Sequence, residues 1–471
     1  MNTKACLPVS AFRITIMNES EKNLLKETLE KITRMEIKGV SIDSRTIHAN
    51  ELFIAIKGDR FDGHDFVPEV MKRGAWGALI DRTALENKFS SLGGLRNIVP
   101  VEDTLSALQE MAFMHRRNFV IPVVGITGSN GKTTTKEMLA GILKQKGPVL
   151  KNEGNLNNHI GVPLTLLKLN ADHTAAVVEM GMSAPGEIDL LARLIGPDVG
   201  VITNIGPAHL EFLKSMDGVA QAKGELFDHL KSSGTAVLNA DDHYFETLKK
   251  KFSGRVLSFG IDKKSDVRAW GIRQERDFTE FMIESHGSTA GVRLRAVGKH
   301  NIYNALAAAG AALAVGMSID AVKKGLDDFM PVVMRSELKQ INGRTVFADC
   351  YNANPASMEA ALETLISLRS GRKAIAVLGD MLELGTVAVD AHRAIGATAA
   401  RLGVDLVITL GTLAKQVGAG AIDAGMPKDR VFEAGSQAEA AALLTKLSQP
   451  GDAVLIKGSR GMKMEKILEA F

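Results

Sequence analysis

Val123-Val-Gly-Ile-Thr-Gly-Ser-Asn-Gly-Lys-Thr-Thr-Thr135 carries an apolar run straight into a glycine-rich turn ending in Gly-Lys-Thr. A buried strand that feeds a helix through such a turn is a cradle for phosphate. Its glycines let backbone N–H groups turn inward, and the helix points its positive end at the anion. Lys132 is then placed for the terminal phosphates of a nucleotide, and the Thr133 hydroxyl for a magnesium ion. The spacing departs from G-x-x-x-x-G-K-[ST], since Ile126 stands five positions before Gly131 and the nearest glycines are Gly125 and Gly128. A variant loop is implied; the alternative is an ordinary strand-to-helix turn with a surface lysine.

Beyond this stretch, strand-like and helix-like segments alternate: 175–180 then 187–195, 199–205 then 217–230, 236–238 then 244–252. That alternation predicts a mostly parallel sheet with helices on both faces. Residues 268–298 read as a β-rich excursion, and the alanine-rich run 304–315 as a buried helix. A second alternation after Pro331, from 345–350 through 356–368, 374–378, 391–402, 406–410 and 438–447 to 453–457, predicts a Rossmann-like domain. It lacks the G-x-G-x-x-G fingerprint of dinucleotide binding. Upstream, 40–42 and 51–56 are strand candidates of a small mixed α/β unit. The expected fold class is α/β in three domains: 1–117, 118–330 around a P-loop ATPase-like sheet, and 331–471, with 1–16 a disordered or untranslated extension.

Composition narrows the function classes. The chain has 471 residues, 45% hydrophobic and 24% charged, with a formal charge of +3. No polybasic footprint suggests nucleic acid or an anionic membrane as partner. Cys6 and Cys350 stand far apart and offer neither a disulfide framework nor a metal knuckle, which fits a reducing cytoplasm. No apolar run approaches the ~20 residues that cross a bilayer, so a soluble cytoplasmic protein without membrane insertion is expected.

Further candidates fall where open α/β sheets bind ligands, at the carboxyl ends of strands. Glu179 ends one strand and is a candidate magnesium ligand, with a solvated strand-end glutamate as the alternative. His209 follows another, in Asn204-Ile-Gly-Pro-Ala-His209, and divides between metal ligand and structural histidine. Lys223 alone has no reading beyond an exposed helical lysine. Amide side chains crowd 151–161 and 298–304, where Asn301 is suited to cap a helix or to orient a ligand. Asp349-Cys-Tyr-Asn-Ala-Asn-Pro355, Gly379-Asp-Met-Leu-Glu-Leu-Gly385 and Lys457-Gly-Ser-Arg-Gly461 occupy sheet-edge loops of the last domain.

Taken together, Gly128–Thr134, Asn155-Leu-Asn-Asn158 with Gly161-Val-Pro163, Glu179-Met-Gly181, Asn204–His209, His300-Asn301 with Asn304, and Asp349–Asn352 resemble the Mur ligases. These are ATP-dependent amide-forming enzymes of peptidoglycan precursor synthesis. Within the family, 351–355 and 379–385 resemble the branch that adds D-alanyl-D-alanine to UDP-N-acetylmuramoyl-tripeptide, and the D-N-P-R run of the diaminopimelate-adding branch is absent. The resemblance implies an N-terminal domain for the uridine nucleotide sugar, a central ATPase domain and a C-terminal domain for the dipeptide.

It also implies roles. Gly128, Ser129, Asn130, Gly131, Lys132, Thr133 and Thr134 would hold ATP, with Asn301 beside the adenine and Arg335 and Asp349 as a nucleotide-holding pair. Thr133, Glu179 and His209 would serve two magnesium ions, joined by Lys223 if it is carbamylated. Ser44, Arg45, Asn157 and Asn158, with Tyr351, Asn352, Lys457 and Ser459, would contact the two substrates. Lys132, Glu179, His209 and Lys223 would carry the chemistry, in a monomer. Another amine acceptor within the same family, or a P-loop nucleotide switch, stays open as an alternative.

Overall fold

The computed structural model describes residues 17–89, 97–369 and 371–471; the expected extension at 1–16, with Cys6, lies outside them. Contacts divide the chain into two compact units, Met1–Gly125 with Lys146–Asp198 and Asp228–Lys231, and Ile126–Gln145 with Val199–Phe227 and Ser232–Phe471.

In the first unit, β1 (Gly39–Ser41), β2 (Glu51–Ile54), β3 (Gly77–Asp81) and β4 (Ile98–Val101) form a parallel sheet in that order. The expected strands at 40–42 and 51–56 are β1 and β2. β3 went unread because a short run buried on both faces has no period that separates strand from helix, and β4, though its burial alternates, is only four residues long. Helix Thr104–Arg116 starts where the Asp103 carboxylate accepts the Ser106 N–H at 2.6 Å. That satisfies one of the donors every helix start leaves over. His64 is 1% exposed. Its Nε2 accepts the Asp81 N–H at 3.0 Å and its Nδ1 stands 2.6 Å from Asp62 Oδ1, so the proton sits on Nδ1 and the 57–64 loop is pinned to β3.

Nine strands form the central sheet: β5 (Val123–Thr127), β6 (Val149–Lys151), β7 (Ala175–Glu179), β8 (Val199–Ile202), β9 (Thr235–Asn239), β10 (Arg255–Gly260), β11 (Val267–Gln274), β12 (Thr279–Ser285) and β13 (Ser288–Leu294). Their order is β13-β12-β11-β10-β9-β8-β5-β7-β6, and the unit boundary falls inside β5. Every residue of β5, β7 and β8 is buried, as both faces of a covered parallel sheet require. β11 to β13 pair antiparallel and are the expected β-rich excursion. The alanine-rich helix spans Lys299–Ala314 and starts earlier than 304. Gly298, at φ +90°, makes the turn into it.

The last sheet holds β14 (Glu337–Ile341), β15 (Arg344–Asp349), β16 (Ala374–Gly379), β17 (Leu406–Leu410), β18 (Val431–Ala434) and β19 (Ala453–Lys457), in the order β14-β15-β19-β16-β17-β18. Only β14 runs antiparallel. Alternate residues feed two cores: Phe347, Ala376 and Leu378 face one side, and Val346, Ile375 and Val377 the other. The Rossmann-like expectation holds. β10, β14, β18 and the helices Ile319–Asp327 and Ala414–Asp423 are additions to the pattern read from sequence. Among the described residues no helix is long and apolar enough to cross a membrane.

Candidate active site

In the second unit, β5 delivers the chain to a loop held at nearly every backbone group. Ser129 N–H donates to Asn204 O at 3.0 Å. The Asn204 carboxamide takes both faces of Asn130, accepting its N–H at 2.9 Å and donating to its carbonyl at 3.1 Å. Thr203 Oγ1 donates to the same carbonyl at 2.6 Å. The Ser129 hydroxyl donates to Gly206 O and accepts the Gly206 N–H, both at 2.8 Å. Gly128 and Gly131 take φ +145° and +82°. A Cβ on Gly128 would stand 1.9 Å from Thr203 Oγ1, and one on Gly131 2.0 Å from Asn304 Oδ1. Conformation and space therefore both require glycine. Helix Lys132–Leu143 begins at Gly131, and Lys132 Nζ reaches back to Gly128 O at 2.7 Å. The ammonium thus lies over the loop with the helix N-terminus, an arrangement that attracts phosphate. Thr133 is buried in the first turn and Thr134 half-buried.

The carboxyl end of β8 leads to His209, in the left-handed region at φ +54°. Its Nδ1 lies 2.9 Å from Glu383 Oε2 at ion-pair distance, without the alignment of a hydrogen bond. Lys223, on helix Met216–Gly224, is 2% exposed. Burial, reinforced by the charge of Lys132, drives its pKa well below the usual lysine range, and among the described residues no carboxylate pairs with it. The expectation of an exposed helical lysine fails here: Ala220, Ala222 and Gly224 around it are buried too.

Asn301 does not cap the alanine-rich helix; its Nδ2 donates to Val297 O at 2.8 Å, and its Oδ1 accepts from Asn304 Nδ2 at 3.2 Å. Arg335 and Asp349, expected to hold the nucleotide, each have partners within the chain. The Arg335 guanidinium stacks 3.7 Å over the Tyr351 ring. Asp349 accepts the Ser336 N–H at 3.1 Å and Lys457 Nζ at 2.5 Å. Burial works against the Asp349 charge, but Lys457, helped by His300 and Ser336, outweighs it and lowers the pKa. Lys457, 1% exposed, also donates to Asn352 O at 2.9 Å. His300 is pushed down to about 4 by burial, against the charge of Asp349 and with that of Lys457. Ser459, 3% exposed, ties the ends of β15, β16 and β19 together: its hydroxyl donates to Ala353 O and accepts the Leu382 N–H, and its own N–H donates to Asp380 O. Lys457 and Ser459 thus have their polar groups occupied by the chain itself.

The first unit carries its own cluster. Glu179, 2% exposed at the end of β7, has its backbone bracketed by the Asn152 carboxamide, with both contacts at 2.9 Å. Asn157 Nδ2 donates to Glu179 Oε1 at 2.9 Å, and Gly181 leaves room for it, since a Cβ there would stand 2.9 Å from Asn157 Oδ1. Asn158 Oδ1 accepts the Gly161 N–H at 2.8 Å. Beyond β1, Ser44 is half-exposed and the exposed Arg45 makes two hydrogen bonds to Asp43, at 2.9 and 2.6 Å. Those bonds lower the Asp43 pKa to about 2.

Thr203, Asn354 and Glu383 join the site without having been singled out from sequence, and Asn204 and Asn304, named there within motifs, had been given no role of their own. Each lies in or beside a run that was read as a motif, but its partner is tens to hundreds of positions away.

Three family matches cover the chain in order: "Mur ligase family, catalytic domain" over residues 36–116, "Mur ligase middle domain" over 126–312, and "Mur ligase, glutamate ligase domain" over 334–460. The UDP-N-acetylmuramoyl-tripeptide--D-alanyl-D-alanine ligase of Bacillus subtilis is 38% identical over 97% of both chains. That of Escherichia coli is 36% identical over 92% of this chain and 93% of its own. Among solved structures, MurF from Acinetobacter baumannii is similar with a TM-score of 0.84 and 32% identity, covering 95% of this chain and 97% of that one. MurF ligase from Thermotoga maritima in complex with ADP gives 0.81 and 29%, over 92% and 96%. With matches spanning the phosphate loop, the sheet that presents it and the Rossmann-like segment behind it, the chain belongs to the Mur ligase family.

Proposed function

We propose that the chain is an ATP-dependent ligase that joins D-alanyl-D-alanine to UDP-N-acetylmuramoyl-tripeptide, giving the pentapeptide precursor of peptidoglycan. The observation that carries this is the glycine-required loop at Gly128–Thr134, within a chain that matches ligases of that name almost end to end. The tripeptide carboxylate attacks the γ-phosphorus of ATP, and ADP leaves. The dipeptide amine then attacks the acyl carbon, phosphate departs with the bonding pair, and the amine proton is lost.

Such a transfer between oxyanions is limited by charge repulsion and positioning. The inward backbone N–H groups, the N-terminus of helix Lys132–Leu143 and Lys132 answer that limit. Gly128, Ser129, Asn130, Gly131, Thr133 and Thr134 are proposed to cradle ATP, with Asn301, Arg335 and Asp349 on its nucleoside side. Ser44, Arg45, Asn157 and Asn158 are proposed for the nucleotide-linked acceptor, and Tyr351, Asn352, Lys457 and Ser459 for the dipeptide end, the last two through the loops they hold together.

Magnesium fits the donor chemistry. Thr133, Glu179 and His209 are each proposed as a ligand on their own chemistry. Among the described residues no three His, Cys, Asp or Glu side chains cluster, so a magnesium ion held there would draw further oxygens from nucleotide phosphates and water, as magnesium commonly does. Bound there, such an ion would offset charge on the phosphates. Lys223, unpaired and driven toward the neutral amine, is suited to add carbon dioxide as a carbamate, which turns a cation into an oxygen ligand. The domain limits 1–117, 118–330 and 331–471, a cytoplasmic location and a monomeric state complete the reading.

The test is phosphate release measured with a panel of nucleotide-linked peptides and amines. D-Alanyl-D-alanine should stimulate it far above single amino acids, and Lys132→Ala should lower it by on the order of a thousandfold in a folded protein. Stimulation by another amine, or near-normal turnover in the variant, overturns the assignment.

A further inference from the structure

Asn130 sends its side chain out of the phosphate loop toward the last segment. Its backbone is locked by Asn204 and Thr203, while its carboxamide meets that of Asn354 in a reciprocal pair. Asn354 Nδ2 donates to Asn130 Oδ1 at 2.8 Å, and Asn130 Nδ2 donates to Asn354 Oδ1 at 3.3 Å. Asn354 is 8% exposed and is also the N-cap of helix Pro355–Ser367. Its Oδ1 accepts the Ser357 N–H at 2.9 Å, and the Ser357 hydroxyl accepts the Asn354 N–H at 3.0 Å. One carboxamide therefore fixes the start of a helix of the last segment and touches the loop that holds ATP. Beside it, a Cβ on Gly206 would stand 3.5 Å from Ser129 Cβ and 3.8 Å from Ala356 Cβ, so small residues bring the two segments together there.

We propose that Asn354 is a positioning residue that sets the register of the dipeptide-bearing segment on the phosphate loop, so that the amine rather than water meets the acyl phosphate. The proposal rests on the ligase reading. In the productive step the N–C bond forms as the C–O bond to phosphate breaks; with water instead, the same bond breaks and the tripeptide is regenerated at the cost of one ATP. A displacement of about 1 Å at such a contact lowers productive turnover on the order of tenfold to a hundredfold.

Asn354→Ser and Asn354→Asp separate the two roles, since Ser and Asp both cap helices well but neither can donate the amide hydrogen to Asn130. Both variants should melt near the unaltered protein and keep the KM for ATP within about twofold. Amide formation should fall on the order of tenfold or more, the KM for D-alanyl-D-alanine should rise, and phosphate release should exceed amide formed. Asn130→Ala combined with Asn354→Ser should be no worse than the worse single change, because both break one contact. A one-to-one phosphate-to-amide ratio with unchanged kcat in both Asn354 variants, or strictly additive losses in the double variant, overturns the proposal. Dipeptide-independent phosphate release by the unaltered enzyme would sink the ligase reading itself.

Discussion

Of the lysines almost wholly withdrawn from water, Lys457 and Lys223 are withdrawn in opposite ways. Lys457, at the end of β19, is 1% exposed and hydrogen-bonded to Asp349 and Asn352. Lys223 is 2% exposed with Lys132 as its charged neighbour and, among the described residues, no carboxylate partner. Burying an ammonium is costly unless it is paired, and an unpaired one escapes the cost by losing its proton. The first lysine is therefore a strut held by its partners, and the second is pushed toward the neutral amine beside Lys132. A buried lysine becomes informative about chemistry only once its partner is known.

Substitution by methionine, of similar length and no charge, should split the two. Lys223→Met is expected to lower ligation on the order of a thousandfold while the urea midpoint holds or rises, because an amine that resists burial is replaced by an apolar chain. A variant that loses stability and keeps activity would place Lys223 with Lys457. Lys457→Met should do the reverse first: leaving the Asp349 carboxylate uncompensated costs about 3 kcal/mol of stability. Urea unfolding measures that loss, and adding Asp349→Asn should recover part of it. If Lys457→Met unfolds like the parent, the strut assignment is wrong.

The smallest effect sharpens the surroundings of that strut. His300, beside Asp349 and Lys457, titrates near 4 in the fold, against 6.5 as the ordinary value. Between these limits the unfolded chain holds a proton that the folded chain does not, so stability rises with pH across that window and the contribution is complete above it. Taking the protein down from pH 6.5 to 4 should remove about 2 kcal/mol through this group, after discounting for partial exposure of the ring. His300→Gln should flatten that part of the stability profile; an unchanged slope would show that the ring is not the group responsible.

The sequence was most legible where local rules act alone. Helix Glu187–Ile195 falls on its expected span, since its apolar period and the following Gly196, at φ +54°, are both local. The phosphate loop was legible for the same reason: glycine, strand and helix start lie within thirteen residues. β18 and β14 were not, because a short edge strand owes its state to a neighbour far along the chain. At the site, residue types were readable and pairings were not. Nothing local in Lys457-Gly-Ser-Arg-Gly461 tells that Nζ turns inward to Asp349, 108 positions away, or that Tyr351 carries Arg335 on its ring face. The family resemblance implies roles for these positions; which group holds another in place depends on partners far along the chain.

The contact between Asn130 and Asn354 is built from two neutral carboxamides. Dissolved ions weaken attraction between charges over about 8 Å at physiological ionic strength, yet they have no net charge to screen in such a pair, and neither amide titrates near neutral pH. In the proposed reaction a bound triphosphate would feel the salt around it; the amide pair would not. The register that this contact sets should therefore hold across ionic strengths that change how tightly a charged nucleotide is bound.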